Sequence, residues 1–171
     1  TEFTKHKWLW VVVLQFSFVV AAVEAVWGLL GPAVARQDLG GAVSWGFVAA
    51  SFGVGTAIGG LIAMQLHVKR PMLVGSILVF SFSLVPLALS VPVAVWLICL
   101  AALIAGICGQ IFGVLWYTTL QRVIPPHMLS RVSAYDHLGS VALAPLGIVA
   151  GGVLFELIGG RLTLLLAAGL I

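Results

Sequence analysis

Residues 11 to 31, VVVLQFSFVVAAVEAVWGLLG, carry one carboxylate, Glu24, deep in an apolar run. An acid there can hold and release a proton or meet a cation. It must face water or protein to do so, because a charge turned toward hydrocarbon costs several kcal/mol. On a helix, Ser17, Ala21, Glu24, Gly28 and Gly31 share one face at steps of three and four. The acid is therefore expected in a small, weakly polar stripe turned to the bundle interior or to a water-filled cavity. Two other roles fit the same position: an acid stretching to the nearer membrane interface, or a protonated acid acting as hydrogen-bonding glue.

Gln15 and Gln110 each lie about a third of the way into an apolar run, where an amide donates and accepts at once. Each either lines a cavity or ties helices together. Arg131 and Asp136 flank the start of a further run and form a candidate pair, with one another or with Arg122, at an inner gate; solvated loop charge is the equal alternative. Glu156 and Arg161 read as interfacial charge. Cys99 and Cys108 are nine positions apart on opposite faces of one helix, which excludes a disulfide between them. His6, His67, His127 and His137 show no ligand spacing such as H-x-x-x-H, and no phosphate-cradling glycine loop with a following Lys is present. Neither a metal nor another cofactor is expected. An intramembrane serine protease needs serine and histidine on neighbouring spans, but Ser140 and His137 share a helix, so no enzyme is expected. A channel lacks support as well, since no filter sequence is seen.

The elements that position these residues follow from composition. Of 171 residues, 62% are hydrophobic and 8% charged, with a mean hydropathy of +1.22. About a quarter of a soluble domain is charged. The chain reads as an all-α integral membrane protein. Roughly 20 apolar residues cross ~30 Å of hydrocarbon as a helix, and five runs suffice: 8–30, 43–66, 71–89, 93–117 and 137–158. A sixth, 162–171, reaches about halfway at ~1.5 Å per residue, so the chain is expected to be a piece of a longer protein. The first run is too long for a signal peptide, and continuous apolarity excludes barrel strands.

Crossing the spans alternately sorts the charges. Lys5, Lys7, Lys69, Arg70, Arg122 and Arg131 fall on one side, and Arg36 and Arg161 on the other. By the positive-inside rule the amino terminus and the 67–70 and 118–136 loops are expected in the cytoplasm, across an inner or plasma membrane. The net charge of +3 then reports topology and not nucleic acid. Trp8, Trp10, Trp27, Trp45, Trp96 and Trp116 all lie near proposed span ends, as interfacial indoles do. The outer connections are an expected loop over 31–41, GPAVARQDLGG, and a tight SVP hairpin. Pro125 and Pro126 must end the fourth helix, and a short surface helix fits after them. Stripes of small residues at steps of three and four suit close helix packing: Gly46, Ala50, Gly53, Ala57 and Gly60; Gly55, Gly59 and Ala63; Gly109 and Gly113; Gly147 and Gly151.

Two stretches carry a resemblance. GGLIAMQLHVKRP, residues 59–71, resembles the loop motif of the major facilitator superfamily, with Gly60, Lys69 and Arg70 matching and Met64 where an acid is usual. QRVIPPHMLSRVSAYDHLGSVALAPLGIVAGGVL, residues 121–154, resembles the segment between the tenth and eleventh helices of drug and siderophore exporters of that superfamily, through Gln121, Arg122, Pro125, Arg131, Val132, Pro145 and Gly147. The resemblance implies twelve helices in two six-helix bundles around a cavity that opens alternately to each side. This chain would be the carboxyl-terminal bundle, partnered by a missing amino-terminal half and by the lipid bilayer. The implied activity is proton-coupled efflux of a small organic cargo, drug-like or siderophore-like. On that reading Glu24, Gln15 and Gln110 serve cargo and proton, while Gly60, Lys69, Arg70, Arg122, Arg131 and Asp136 form the loop motif or cytoplasmic gate.

Overall fold

A computed structural model describes residues 7–66, 68–91 and 93–171, the side chains at 7–14, 131, 135, 136 and 140 excepted. The expectations for Lys5, His6, Lys7, Trp8, Trp10, His67, Arg131, Asp136 and Ser140 therefore lie outside the described residues. What is described is helical, with short connections. Five stretches are long and apolar enough to cross a membrane: Gln15–Asp38, Ala42–Gln65, Pro71–Leu89, Val95–Val123 and Pro126–Ile158. Gly160–Leu170 is a shorter apolar helix. Helices suit this setting because they satisfy their own backbone polar groups where no water can.

Three expected boundaries are corrected, each at a proline. The segment 31–38 is helix, not loop, so the first span runs on to Asp38. Pro32 cannot donate a hydrogen bond, and its ring crowds the carbonyl four residues back. The chain absorbs it with a wide turn over Val26–Leu30, where the Gly31 N–H reaches the Val26 carbonyl five residues earlier. The turn to the second span is then made by Leu39, Gly40 and Gly41, and both glycines take positive φ, at 85° and 94°.

The third span matches 71–89 in extent but tightens to a 3₁₀ turn over Phe80–Ser83, ahead of Pro86. The 118–136 stretch, expected as a loop that could hold a short helix after its prolines, is likewise mostly helix. The fourth span continues to Val123, and a helix over Pro126–Val141 starts at once. The prolines end the fourth helix as anticipated, yet Pro126 suits the first helical turn, whose N–H needs no partner. The fifth span breaks at Ala142 and Leu143 and resumes over Ala144–Ile158, with Pro145 in its first turn.

Small residues decide the packing. The second and fourth spans meet along Gly55, Gly59 and Gly106. A Cβ at Gly55 would strike the Leu103 carbonyl, and one at Gly106 the Phe52 carbonyl. The other stripe expected to pack, Gly46, Ala50, Gly53 and Ala57, is exposed, and no atom lies within 4 Å of a Cβ placed at Gly46 or Gly53. The first span packs on the fifth. Gly147 lets the fifth span touch the Ala21 backbone, and the Ser17 hydroxyl donates to the Gly139 carbonyl at 2.6 Å. A dry core of Val26, Leu30, Val48, Val85, Ile98 and Leu164 joins the first, second, third, fourth and sixth helices. Dispersion and exclusion of lipid hold such a core, since hydrocarbon outside gives helices no hydrophobic reason to associate.

Candidate functional site

Glu24 lies two residues before the wide turn of the first span and about 14 Å along the helix from Gln15. Its neighbours on the helix are committed to packing. On one side Trp27 meets Trp45 and Phe52 of the second span, with ring centroids 5.3 and 4.7 Å apart. On the other, Ala21 and Ala25 meet Gly147 and Gly151 of the fifth. Glu24 occupies the strip between these contacts and is exposed. It is not in the bundle interior, one of the two placements the stripe allowed. Among the described residues it has neither an ion-pair nor a hydrogen-bond partner.

The stripe itself divides. Ser17, Ala21 and Gly31 are buried, with Gly31 leaving room for the Trp45 ring, while Glu24 and Gly28 stay open. Spacing placed all five on one face; packing gives Ser17, Ala21 and Gly31 to neighbouring helices. The wide turn shifts the helical register before Gly31, which lies against Trp45 of the second span.

Gln15 is exposed at the rim of a pocket of about 140 Å³ between the first, third and fourth spans. Aromatic rings form its wall: Phe16 lies 5.1 Å from Phe112, and Phe112 lies 6.5 Å from Trp116. Sequence reasoning missed this wall, although Phe112 and Trp116 stand four apart on one helix face. Trp116, expected near a span end, is buried. It packs with Leu120, Ile124 and Val132 in a cluster that Met72 and Met128 complete.

Gln110 is exposed on the fourth span and lies against the second, its Cγ 3.9 Å from a Cβ placed at Gly60. Two of the residues singled out in the sequence are thus brought together. The three cargo candidates are not: the pocket at Gln15 is lined by neither Glu24 nor Gln110. Lys69, Arg70 and Arg122 are all exposed. Arg122 lies in the last turn of the fourth span, where a cation complements the helix dipole. Chemically, the arrangement offers an open mid-span carboxylate able to exchange a proton or meet a cation, and an aromatic pocket able to hold an apolar group beside an amide. No protein-family model, curated protein or solved structure matches the chain, so its likeness to the major facilitator superfamily rests on the two quoted motifs.

Proposed function

We propose that this chain is one bundle of an alternating-access transporter in a cell membrane, exporting a small organic molecule in exchange for protons. The observation that carries the reading is Glu24, open in mid-span and without a partner among the described residues. Lipid against that face would meet a carboxylate at a cost of several kcal/mol. Water against it requires a cavity, and a cavity within a bilayer requires a second wall. A second six-helix bundle supplies that wall. The uncovered stripe of Gly46, Ala50, Gly53 and Ala57 gives such a bundle a smooth surface to approach and slide on.

In this reading a cationic cargo and a proton compete for the Glu24 carboxylate, so that cargo and proton exclude one another. Gln110 and Gln15 contribute amide hydrogen bonds, and the aromatic pocket beside Gln15 takes an apolar part of the cargo. Gly60, Lys69, Arg70, Arg122, Arg131 and Asp136 belong to the cytoplasmic side, with the amino terminus. The test is transport by the protein containing this bundle, in proteoliposomes under an imposed pH gradient. Glu24→Gln keeps size and hydrogen bonding but cannot titrate, so it should insert normally and lose the pH dependence of efflux. Parent-like rate and pH dependence in Glu24→Gln would remove the acid from the mechanism.

A further inference from the structure

At the end of the bundle away from Lys69, Arg70 and Arg122, the end of the first span, Ser90, Val91, Val93 and Ala94, and the start of the sixth helix surround a pit of about 700 Å³. Its floor is apolar, formed by the buried side chains of Val34, Ile98 and Leu164. Its lining includes exposed polar and charged residues: Gln37 and Asp38 from the end of the first span, and Arg161 from the start of the sixth helix. Among the described residues neither Asp38 nor Arg161 has an ion-pair partner.

Both charges are set against their own helices. Asp38 is the last residue of its helix, where the backbone already presents partial negative charge, and Arg161 lies in the first turn of the sixth helix, where it presents partial positive charge. Helix stability gives no reason for either placement. At the pit, however, Asp38 adds to the negative helix end beside it, and Arg161 to the positive helix start beside it. The first suits a cation, the second an anion, and the apolar floor suits a short apolar link.

We infer that this pit binds a small zwitterion, with an ammonium group at Asp38 and Gln37 and a phosphodiester or carboxylate at Arg161 and the first N–H groups of the sixth helix. A dissolved zwitterion and the headgroup of an ethanolamine phospholipid share this chemistry. The inference is independent of the transport reading.

The test is a titration of the purified chain in detergent with glycerophosphoethanolamine, with ethanolamine and glycerol phosphate as single-charge controls. Saturable binding of the zwitterion is expected, weakened about tenfold or more in Asp38→Asn, in Arg161→Gln and for both controls. Exchanging the charges, Asp38→Arg with Arg161→Asp, should restore it. In parallel, mass spectrometry of the chain released from mixed phosphatidylethanolamine and phosphatidylglycerol nanodiscs reads which lipid stays bound. Binding of the soluble probe assigns the site to free zwitterions; retention of phosphatidylethanolamine alone, lost in Asp38→Asn, assigns it to the headgroup. Thermal unfolding matched to the parent shows that the variants are folded, as exposed positions allow. Equal affinity for all three soluble probes without selective lipid retention, or parent-like binding in both single variants, would overturn the inference.

Discussion

Gly55 of the second span and Leu103 of the fourth meet backbone to backbone, with no room for a side chain between them. Overpacking a tight contact costs about 1–3 kcal/mol when neighbours can shift, and here the neighbour is main chain. Gly55→Leu is therefore expected to lower the thermal unfolding midpoint of the purified chain in detergent, or to prevent folding. Gly53→Leu, two residues earlier on the open face, should unfold like the parent. Equal sensitivity at both positions would mean that the two stripes are packed alike.

The ends of the bundle can be assigned to sides of the membrane. Gln37, after Pro32, and Ser130, after Pro125 and Pro126, are exposed and belong to opposite ends. With Cys99 and Cys108 replaced by Ala, Gln37→Cys and Ser130→Cys should react with a membrane-impermeant thiol reagent from opposite sides of the membrane, Ser130→Cys from the cytoplasmic side. Reaction of both from one side would contradict the charge-based orientation.

Much of this architecture is legible in the sequence, because a span needs an uninterrupted apolar run and little else. The second span, expected over 43–66, is Ala42–Gln65, and the third begins and ends where expected. The errors lie where proline or polarity was read as the end of a helix. At Pro32 a single wide turn removes the clash, and no residue pattern announces it. At 31–38 the polar residues Arg36, Gln37 and Asp38 stand on the outside while Val34 and Ala35 are buried, so the helix continues through them. Neighbour identity was harder to read. A span apolar all round has no polar stripe to mark its outer face, which is why the packing stripe at Gly55 and the open one at Gly53 looked equivalent. Glu24 could be placed on a face but not beside particular neighbours.

A transporter with two bundles has no cavity when one is absent. Residues 1–171 reconstituted alone in proteoliposomes should insert and yet move no cargo, measured as efflux of a fluorescent organic cation under a pH gradient. Efflux by this chain alone would contradict the two-bundle account.

The central claim is that the open face carrying Glu24 meets water rather than lipid, and cysteine accessibility reads this most directly. In the protein containing this bundle, with Cys99 and Cys108 replaced by Ala, Glu24→Cys is compared with Val149→Cys, which is exposed on the fifth span. A hydrophilic thiol reagent should modify Glu24→Cys and leave Val149→Cys untouched, because thiolates form and react in water and not in hydrocarbon. Protection of Glu24→Cys to the same degree as Val149→Cys would contradict the claim.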